Sequence, residues 1–436
     1  MERIGVGILG LGTVGSGVAR ILTEQGDRIS RRAGRDIDLK WAVVRDRSKA
    51  RSVELPEARI ITDPHRVVQD PDVQVIIETL GGIEPARGLI LEALASGKDI
   101  VTANKALLAE HGREIFSQAR RYGRAVAFEG SVGGGIPIIQ ALGVGLAANQ
   151  VQGLAAIVNG TCNFILSSMT SDGLPYLTAL KQAQELGYAE ADPTLDVDGT
   201  DTAHKLAILV QLAFGVNIDT SQIPREGIDR LQLADLKYAA ELGYTIKLLA
   251  LAKLSESGLE LRVAPTLVKR GTQLAEVKGP YNAIRVVGDA VGDTLFYGRG
   301  AGMMPTASAV VGDLIDVIVG RAALTSRALD LWSDSSPSPR LTPATKVKSR
   351  YYLRFTIADR PGVIAALAHI LGERSISIAS VIQHDPGDDA PEDSPVPLVI
   401  MTHMAIEADM KNALAAIDQL DVVSAPSICL GVEEMS

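Results

Sequence analysis

The sequence predicts an α/β protein in three parts: an N-terminal doubly wound parallel sheet, a central α+β region and a small C-terminal unit of βαββαβ order. Three observations carry this reading. Short apolar runs alternate with helical segments through residues 1–135. A G-x-G-x-x-G loop falls between the first apolar run and the first helical one. A Ser/Pro-rich stretch, WSDSSPSPRLTP, precedes a last block in which strand and helix patterns alternate again.

Arg3–Leu9 reads as a buried strand, followed by apolar runs at Trp41–Val44, Ala58–Ile61, Val73–Leu80, Asp99–Asn104 and Arg124–Gly130. The segments GLILEALASG and REIFSQARRYG between them have helical spacing and end in glycine. This predicts a Rossmann-type domain over 1–135. Residues 136–304 change character. CNFILSSM, YLTALKQAQELG and TAHKLAILVQLAFG read as helices, and LELRVAPTLV and YNAIRVVGDAVGDTLFYG beyond Gly258 read as extended. A helix over 305–320, with proline in its first turn, is expected to pack back on the nucleotide domain. Residues 321–348 are expected to be a linker and 349–436 a separate unit whose acidic loop, Pro386–Pro397, is expected to be mobile.

Composition excludes several classes. Hydrophobic residues make up 46% and charged residues 22%, an ordinary globular balance. The net charge of −9 and the lack of a dense basic run argue against nucleic acid. No uninterrupted apolar stretch is long enough to span a membrane, and MERIGVGILGLGTVG lacks the basic start and cleavage site of a secretory signal. Two cysteines, Cys162 and Cys429, make neither a disulfide framework nor a structural zinc site, which fits a cytoplasmic protein.

The glycine loop, ILGLGTVG, places Gly10 at a tight turn, Gly12 where a backbone can approach a pyrophosphate, and Gly15 where helix meets strand. The helix start behind it offers free N–H groups to phosphates. The second strand ends in VVRDRSK, where a ribose-binding carboxylate is usual. Arg45 comes first, and its fork suits a 2′-phosphate, so NADP is expected, with NAD possible through Asp46.

Lys105, in TANKALLA, follows the fifth strand, the end of a parallel sheet at which ligands bind; position alone also admits a surface lysine. The segment Ala183–Lys205, AQELGYAEADPTLDVDGTDTAHK, carries six acids ahead of one lysine and then an apolar run. Asp201 and Lys205 share a helix face, and Leu209 and Leu212 continue it. Burial favours the neutral amine and Asp201 the ammonium, a balance suited to proton transfer; a structural ion pair satisfies the same spacing. The irregular acid spacing does not match an EF-hand. FEGSVGGGIPII sets Glu129 beside a loop of small residues whose carbonyls could join it around a hard cation, or which is only a tight connection.

These residues together resemble the homoserine dehydrogenase family. Ala183, Gly187, Asp192, Pro193, Asp196, Gly199, Asp201 and Lys205 stand where its pattern expects them, and NKALLA, EGSVGGGIP and VNGTCNFIL resemble its other motifs. FTIADRPGVIAALAHIL resembles an ACT domain, as in the longer monofunctional bacterial enzymes. The resemblance implies NAD(P)-dependent interconversion of L-aspartate 4-semialdehyde and L-homoserine, on the path to threonine and methionine. It implies Lys205 as proton donor, Lys105 as its assistant near the nicotinamide, and Glu190 and Asp201 as substrate ligands. Thr13, Val14, Arg45, Gly187 and Gly302 would contact the cofactor. A sodium ion would lie among Glu129, Val132, Gly134 and Ile136. The region 136–304 would also carry dimer contacts, giving a homodimer or homotetramer. The effector would be L-threonine, bound near Asp359 and Gly362.

Two rivals use the same residues. A semialdehyde dehydrogenase would need Cys162 as a thiolate nucleophile with His204 as base. A non-catalytic sensor would bind nucleotide without turnover, and the retention of both Lys105 and Lys205 argues against it.

Overall fold

The computed structural model describes residues 2–333, 339–343, 345–384 and 395–434. Most of the acidic loop and part of the Ser/Pro-rich stretch lie outside the described residues. Contacts divide the chain into two units: Met1–Gly160 with Asp201–Ile223 and Tyr281–Pro339, and Thr161–Thr200 with Pro224–Pro280 and Arg340–Ser436.

The first unit holds the expected doubly wound sheet. Strands β1 (Arg3–Leu9), β2 (Asp36–Val43), β3 (Ile60–Ile61), β4 (Val75–Glu78), β5 (Asp99–Thr102) and β6 (Val126–Ala127) run parallel in the order β3-β2-β1-β4-β5-β6. The order reverses between β1 and β4, and a ligand crevice opens at such a switch point. Buried on both faces, the inner strands β1 and β4 read as apolar runs rather than as alternation. The helix expected over 305–320 spans Met303–Ile318. Its Ala307, Val310, Val311 and Leu314 share one core with Val6, Ile8 and Val18, so it packs on the layer of the parallel sheet. The contact with the first helix is close: a Cβ on Gly17 would lie 2.9 Å from that of Ala307.

Three antiparallel strands complete this unit, β7 (Val151–Ile157), β10 (Tyr281–Gly288) and β11 (Gly292–Arg299), in the order β11-β10-β7. The span expected to be a linker, 321–348, opens instead with a helix, Arg321–Leu329. Trp332 then stacks on Phe116 at 4.6 Å and is buried, so folded structure extends to the edge of the Ser/Pro-rich stretch. Composition dominates the reading of such a stretch and hides a single anchoring aromatic.

In the second unit β8 (Tyr244–Ser255) and β9 (Gly258–Lys269) form a long hairpin. The C-terminal βαββαβ order is as expected: β12 (Lys348–Ala358), helix Val363–Glu373, β13 (Ile378–Gln383), β14 (Pro395–Thr402), helix Glu407–Ile417 and β16 (Val423–Glu433), with the short β15 (Ala405–Ile406) on β12. It has its own core of Leu353, Phe355, Leu367, Leu371, Ile400 and Met410. It is not separate in space, however. β16 pairs in parallel with β9, giving a continuous order β8-β9-β16-β12-β14-β13. Arg354 of β12 grips Asp235 of the helix Leu233–Glu241 at 2.6 and 3.1 Å, and the pair is buried. Removing one partner of such a pair costs about 3–5 kcal/mol. Cutting the chain at 348 would therefore expose an edge of β9 and a buried carboxylate.

No helix among the described residues is long and apolar enough to cross a membrane.

Candidate active site

A cleft of about 740 Å³ opens at the carboxyl ends of β1, β2 and β4, lined by Gly10, Gly12, Thr13, Arg45 and Lys49 among others. Gly10 has φ +100°, and a Cβ on Gly15 would lie 1.9 Å from the Gly10 carbonyl, so both positions require glycine. Nothing stands within 4 Å of a Cβ on Gly12, which leaves its backbone open to a ligand. Gly12 caps the helix Thr13–Glu24 without a side-chain hydrogen bond, so the first N–H groups of Thr13, Val14 and Gly15 remain available to phosphate oxygens. Gly302, at φ +117°, caps the helix Met303–Ile318, whose Met303 lines the same cleft.

The charges after β2 divide into structural and open ones. Arg47 donates to the carbonyls of Glu57 and Ile60, and Arg51 to those of Arg47 and Lys49, which folds the loop on itself. The Asp46 carboxylate accepts from the hydroxyl and backbone N–H of Ser48 at 2.7 and 2.8 Å, and these bonds hold its pKa below the usual value. It is thus occupied locally. Arg45 makes neither hydrogen bond nor ion pair among the described residues and faces the cleft.

Two residues separate β5 from the helix Lys105–Tyr122, which is capped by Asn104, and this puts Lys105 at the strand ends. The helix Thr200–Phe214 brings Asp201 and Lys205 to the same place. One Asp201 oxygen lies 2.6 Å from the Lys105 ammonium and the other 2.7 Å from that of Lys205. Lys205 also donates to the Val158 carbonyl at 2.7 Å, and the Asn159 amide donates to Asp201 at 3.0 Å. Burial alone would raise the Asp201 pKa; the two ammonium groups overcome it and hold the carboxyl well below the usual range. The spacing rule thus anticipated the pair but not its full form, since one carboxylate serves two lysines. The cluster keeps one net positive charge. Lys105 is 41% exposed and Lys205 10%, so the two cations differ in their access to a ligand. Val158 and Asn159 are visible in the sequence as the start of the VNGTCNFIL motif, but the motif alone attaches no role to either.

The other expected residues stand as follows. Glu129 is buried; its oxygens accept from the N–H groups of Ile139 and Gln140 at 2.9 Å, and burial pushes its pKa up to about 7. Val132, Gly134 and Ile136 follow it in a buried turn, with Gly134 at φ +57°. No group of three or more His, Cys, Asp or Glu side chains among the described residues could hold a metal. Gly187, at φ +74°, and Glu190 belong to the second unit and are exposed there. In the C-terminal region Gly362, at φ +92°, caps the helix Val363–Glu373, and Asp359 accepts from Gln383 at 3.0 Å. Cys162 is fully buried and donates to the Asp196 carbonyl, an environment opposed to thiolate chemistry.

Comparison with known proteins identifies the family. Residues 10–129 match the homoserine dehydrogenase NAD-binding domain, 137–315 the homoserine dehydrogenase family and 351–422 the ACT domain. The homoserine dehydrogenase of Pseudomonas aeruginosa is 45% identical, with 100% of both chains covered, and that of Bacillus subtilis is 39% identical over 97% of this chain and 96% of its own. A crystal structure of a homoserine dehydrogenase from Thiobacillus denitrificans superposes with a TM-score of 0.91 at 45% identity, covering 100% of this chain and 99% of that one. A hyperthermophilic archaeal homoserine dehydrogenase in complex with NADPH has a TM-score of 0.62 at 25% identity, covering 73% of this chain and 98% of its own. With a dinucleotide cleft beside a carboxylate that bridges two lysines, the chain belongs to the homoserine dehydrogenase family of NAD(P)-dependent oxidoreductases and carries an ACT domain.

Proposed function

We propose that in the interconversion of L-aspartate 4-semialdehyde and L-homoserine, Lys205 is the proton donor and Lys105 its electrostatic partner. The observation that carries this is the Asp201 bridge, which holds both ammonium groups at one point. The bound dinucleotide supplies the hydride to the aldehyde carbon. As the carbonyl oxygen gains charge, Lys205 transfers a proton to it, and Lys105 stabilises that charge. In the oxidative direction Lys205 takes the proton back. Asp201 serves the substrate site by orienting the two lysines, and Glu190 binds the substrate ammonium.

The dinucleotide is NADP in this reading. Arg45 faces the cleft without a partner among the described residues, Asp46 is tied to Ser48, and an archaeal relative has been seen with NADPH. Thr13, Val14, Gly187 and Gly302 complete the cofactor contacts. A sodium ion would be held by Glu129 with the carbonyls of Val132, Gly134 and Ile136. One buried carboxylate and three carbonyls form an all-oxygen set suited to a hard cation. Residues 1–135, with the 305–320 helix, hold the dinucleotide; 136–304 carry the substrate and the contacts of a homodimer or homotetramer; 349–436 bind L-threonine near Asp359 and Gly362. The presence of an ACT domain supports an amino-acid effector. The enzyme works in the cytoplasm.

Lys205→Ala is expected to lower kcat by ~10²–10⁴-fold with dinucleotide affinity kept. Lys205→Arg retains the charge but cannot release a proton, and should be as slow. Steady-state rates with semialdehyde and NADPH check both, and an active arginine variant would reduce the role of Lys205 to charge.

Arg45→Ala should weaken NADPH about tenfold or more and NADH little, since a charged hydrogen bond contributes roughly 1.5–3 kcal/mol. Fluorescence titration of both dinucleotides measures this, and equal losses would place Arg45 outside the 2′-phosphate site. Asp359→Ala in the full chain should raise the threonine concentration for half-inhibition without changing the uninhibited rate. Unaltered inhibition would move threonine to another site.

A further inference from the structure

One buried carboxylate at the switch point has no part in the reading above. Glu78 ends β4, and the sheet register sets it beside Leu9 of β1 on one side and Thr102 of β5 on the other. The strand after Leu9 runs into the glycine loop, and the strand after Thr102 runs into Lys105. Glu78 is fully buried, as is Thr102. Its two oxygens bond in opposite directions. One accepts from the backbone N–H of Leu80 at 2.7 Å, and the other accepts from the Thr102 hydroxyl at 2.6 Å. Leu80 and Gly81 line the dinucleotide cleft.

The Thr102 hydroxyl continues the chain of bonds by accepting from the backbone N–H of Asn104 at 3.0 Å. The Asn104 side chain then closes a ring. Its carbonyl caps the helix at Leu107 N–H, 3.2 Å away, and its amide donates to the Gly82 carbonyl at 2.6 Å. Gly81 and Gly82 both have φ +74°, so the loop can turn back under the cleft while presenting its carbonyl to Asn104. The helix so capped begins with Lys105.

A hydrophobic residue at the end of β4 would satisfy the strand pattern, and burying a carboxyl instead is costly. Burial does push the Glu78 pKa above its ordinary value, against the pull of its hydrogen-bond donors. A polar group kept at such a cost is explained when its bonds fix a geometry that packing alone leaves loose. We propose that Glu78 is a positioning residue for the reaction, tying the dinucleotide-binding loop at Leu80–Gly82 to the Thr102–Asn104 turn that aims Lys105. It touches neither ligand directly in this arrangement. It couples cofactor seating to the lysine that faces the substrate, and this rests on the role given above to Lys105.

The test uses Glu78→Gln, Thr102→Val and the double variant of the full-length enzyme. Gln keeps one acceptor and the size; Val keeps the shape of Thr102 and breaks the link between the two strands. Dinucleotide affinity by fluorescence titration, kcat and KM for homoserine, and the melting temperature are measured for each. Each single variant is expected to lower kcat about 10–100-fold, the scale of a small misplacement of reacting groups. Each should weaken the dinucleotide about 3–10-fold, with the double variant little worse than either, because both cut one connection. Wild-type kcat and dinucleotide affinity in Thr102→Val would overturn the proposal, as would losses that multiply in the double variant. A melting temperature that falls while the kinetics of the folded enzyme stay unchanged would also overturn it. Lys105→Ala in the same series separates the two readings. Full activity there would remove Lys105 from the reaction, while the dinucleotide affinities would still report on Glu78.

Discussion

A single carboxylate, Asp201, sets the terms for the two lysines gathered at the strand ends of the first unit. Two ammonium groups held this close together would repel each other, and one of them, on Lys205, is nearly buried. Neither condition is tolerable without a counter-charge in contact with both. Asp201 supplies it, at 2.6 Å to Lys105 and 2.7 Å to Lys205. The position of each helix follows. The helix Lys105–Tyr122 must begin at the end of β5, and the helix Thr200–Phe214 must begin where its first turn meets that point. The Val158 carbonyl and Asn159 amide, just beyond β7, close the remaining sides.

Much of this was legible in the residues because the constraints are local. The glycine loop needs Gly10 and Gly15 for contacts that no other residue permits, and a glycine pattern between a strand and a helix is visible in the chain. Asp201 and Lys205 are one helical turn apart, so their pairing needs no knowledge of the fold. Lys105 lies a hundred residues away in sequence, and only the strand-end rule for parallel sheets placed it nearby. That Asp201 serves both lysines is a tertiary fact and could not be read from spacing.

The parts that were not legible share a cause. β8 has an apolar centre, LLALA, between Lys247 and Lys253, and its period does not distinguish strand from helix. The pairing of β16 with β9 joins residues far apart in the chain, and nothing in either strand announces a partner. The Arg354–Asp235 pair has the same character: each residue alone reads as surface charge, and only the fold makes both buried. These links make the C-terminal ACT region a continuation of the β8–β9 sheet. An amino acid bound there would act on a body that is already one piece, with its effect limited by its differential affinity for the states of that body.

The central claim is that Asp201 keeps Lys205 charged and both lysines aimed, so its charge rather than its shape is what matters. The direct measurement is the rate of semialdehyde reduction by Asp201→Asn, with dinucleotide binding measured alongside. Asparagine preserves the size and can still bond to one lysine, but it leaves two cations without a counter-charge, and burial then favours the neutral amine at Lys205. The account predicts a kcat lower by ~10²-fold or more, the scale of a lost general acid, with dinucleotide affinity close to that of the wild type. A variant that turns over at the wild-type rate would contradict it.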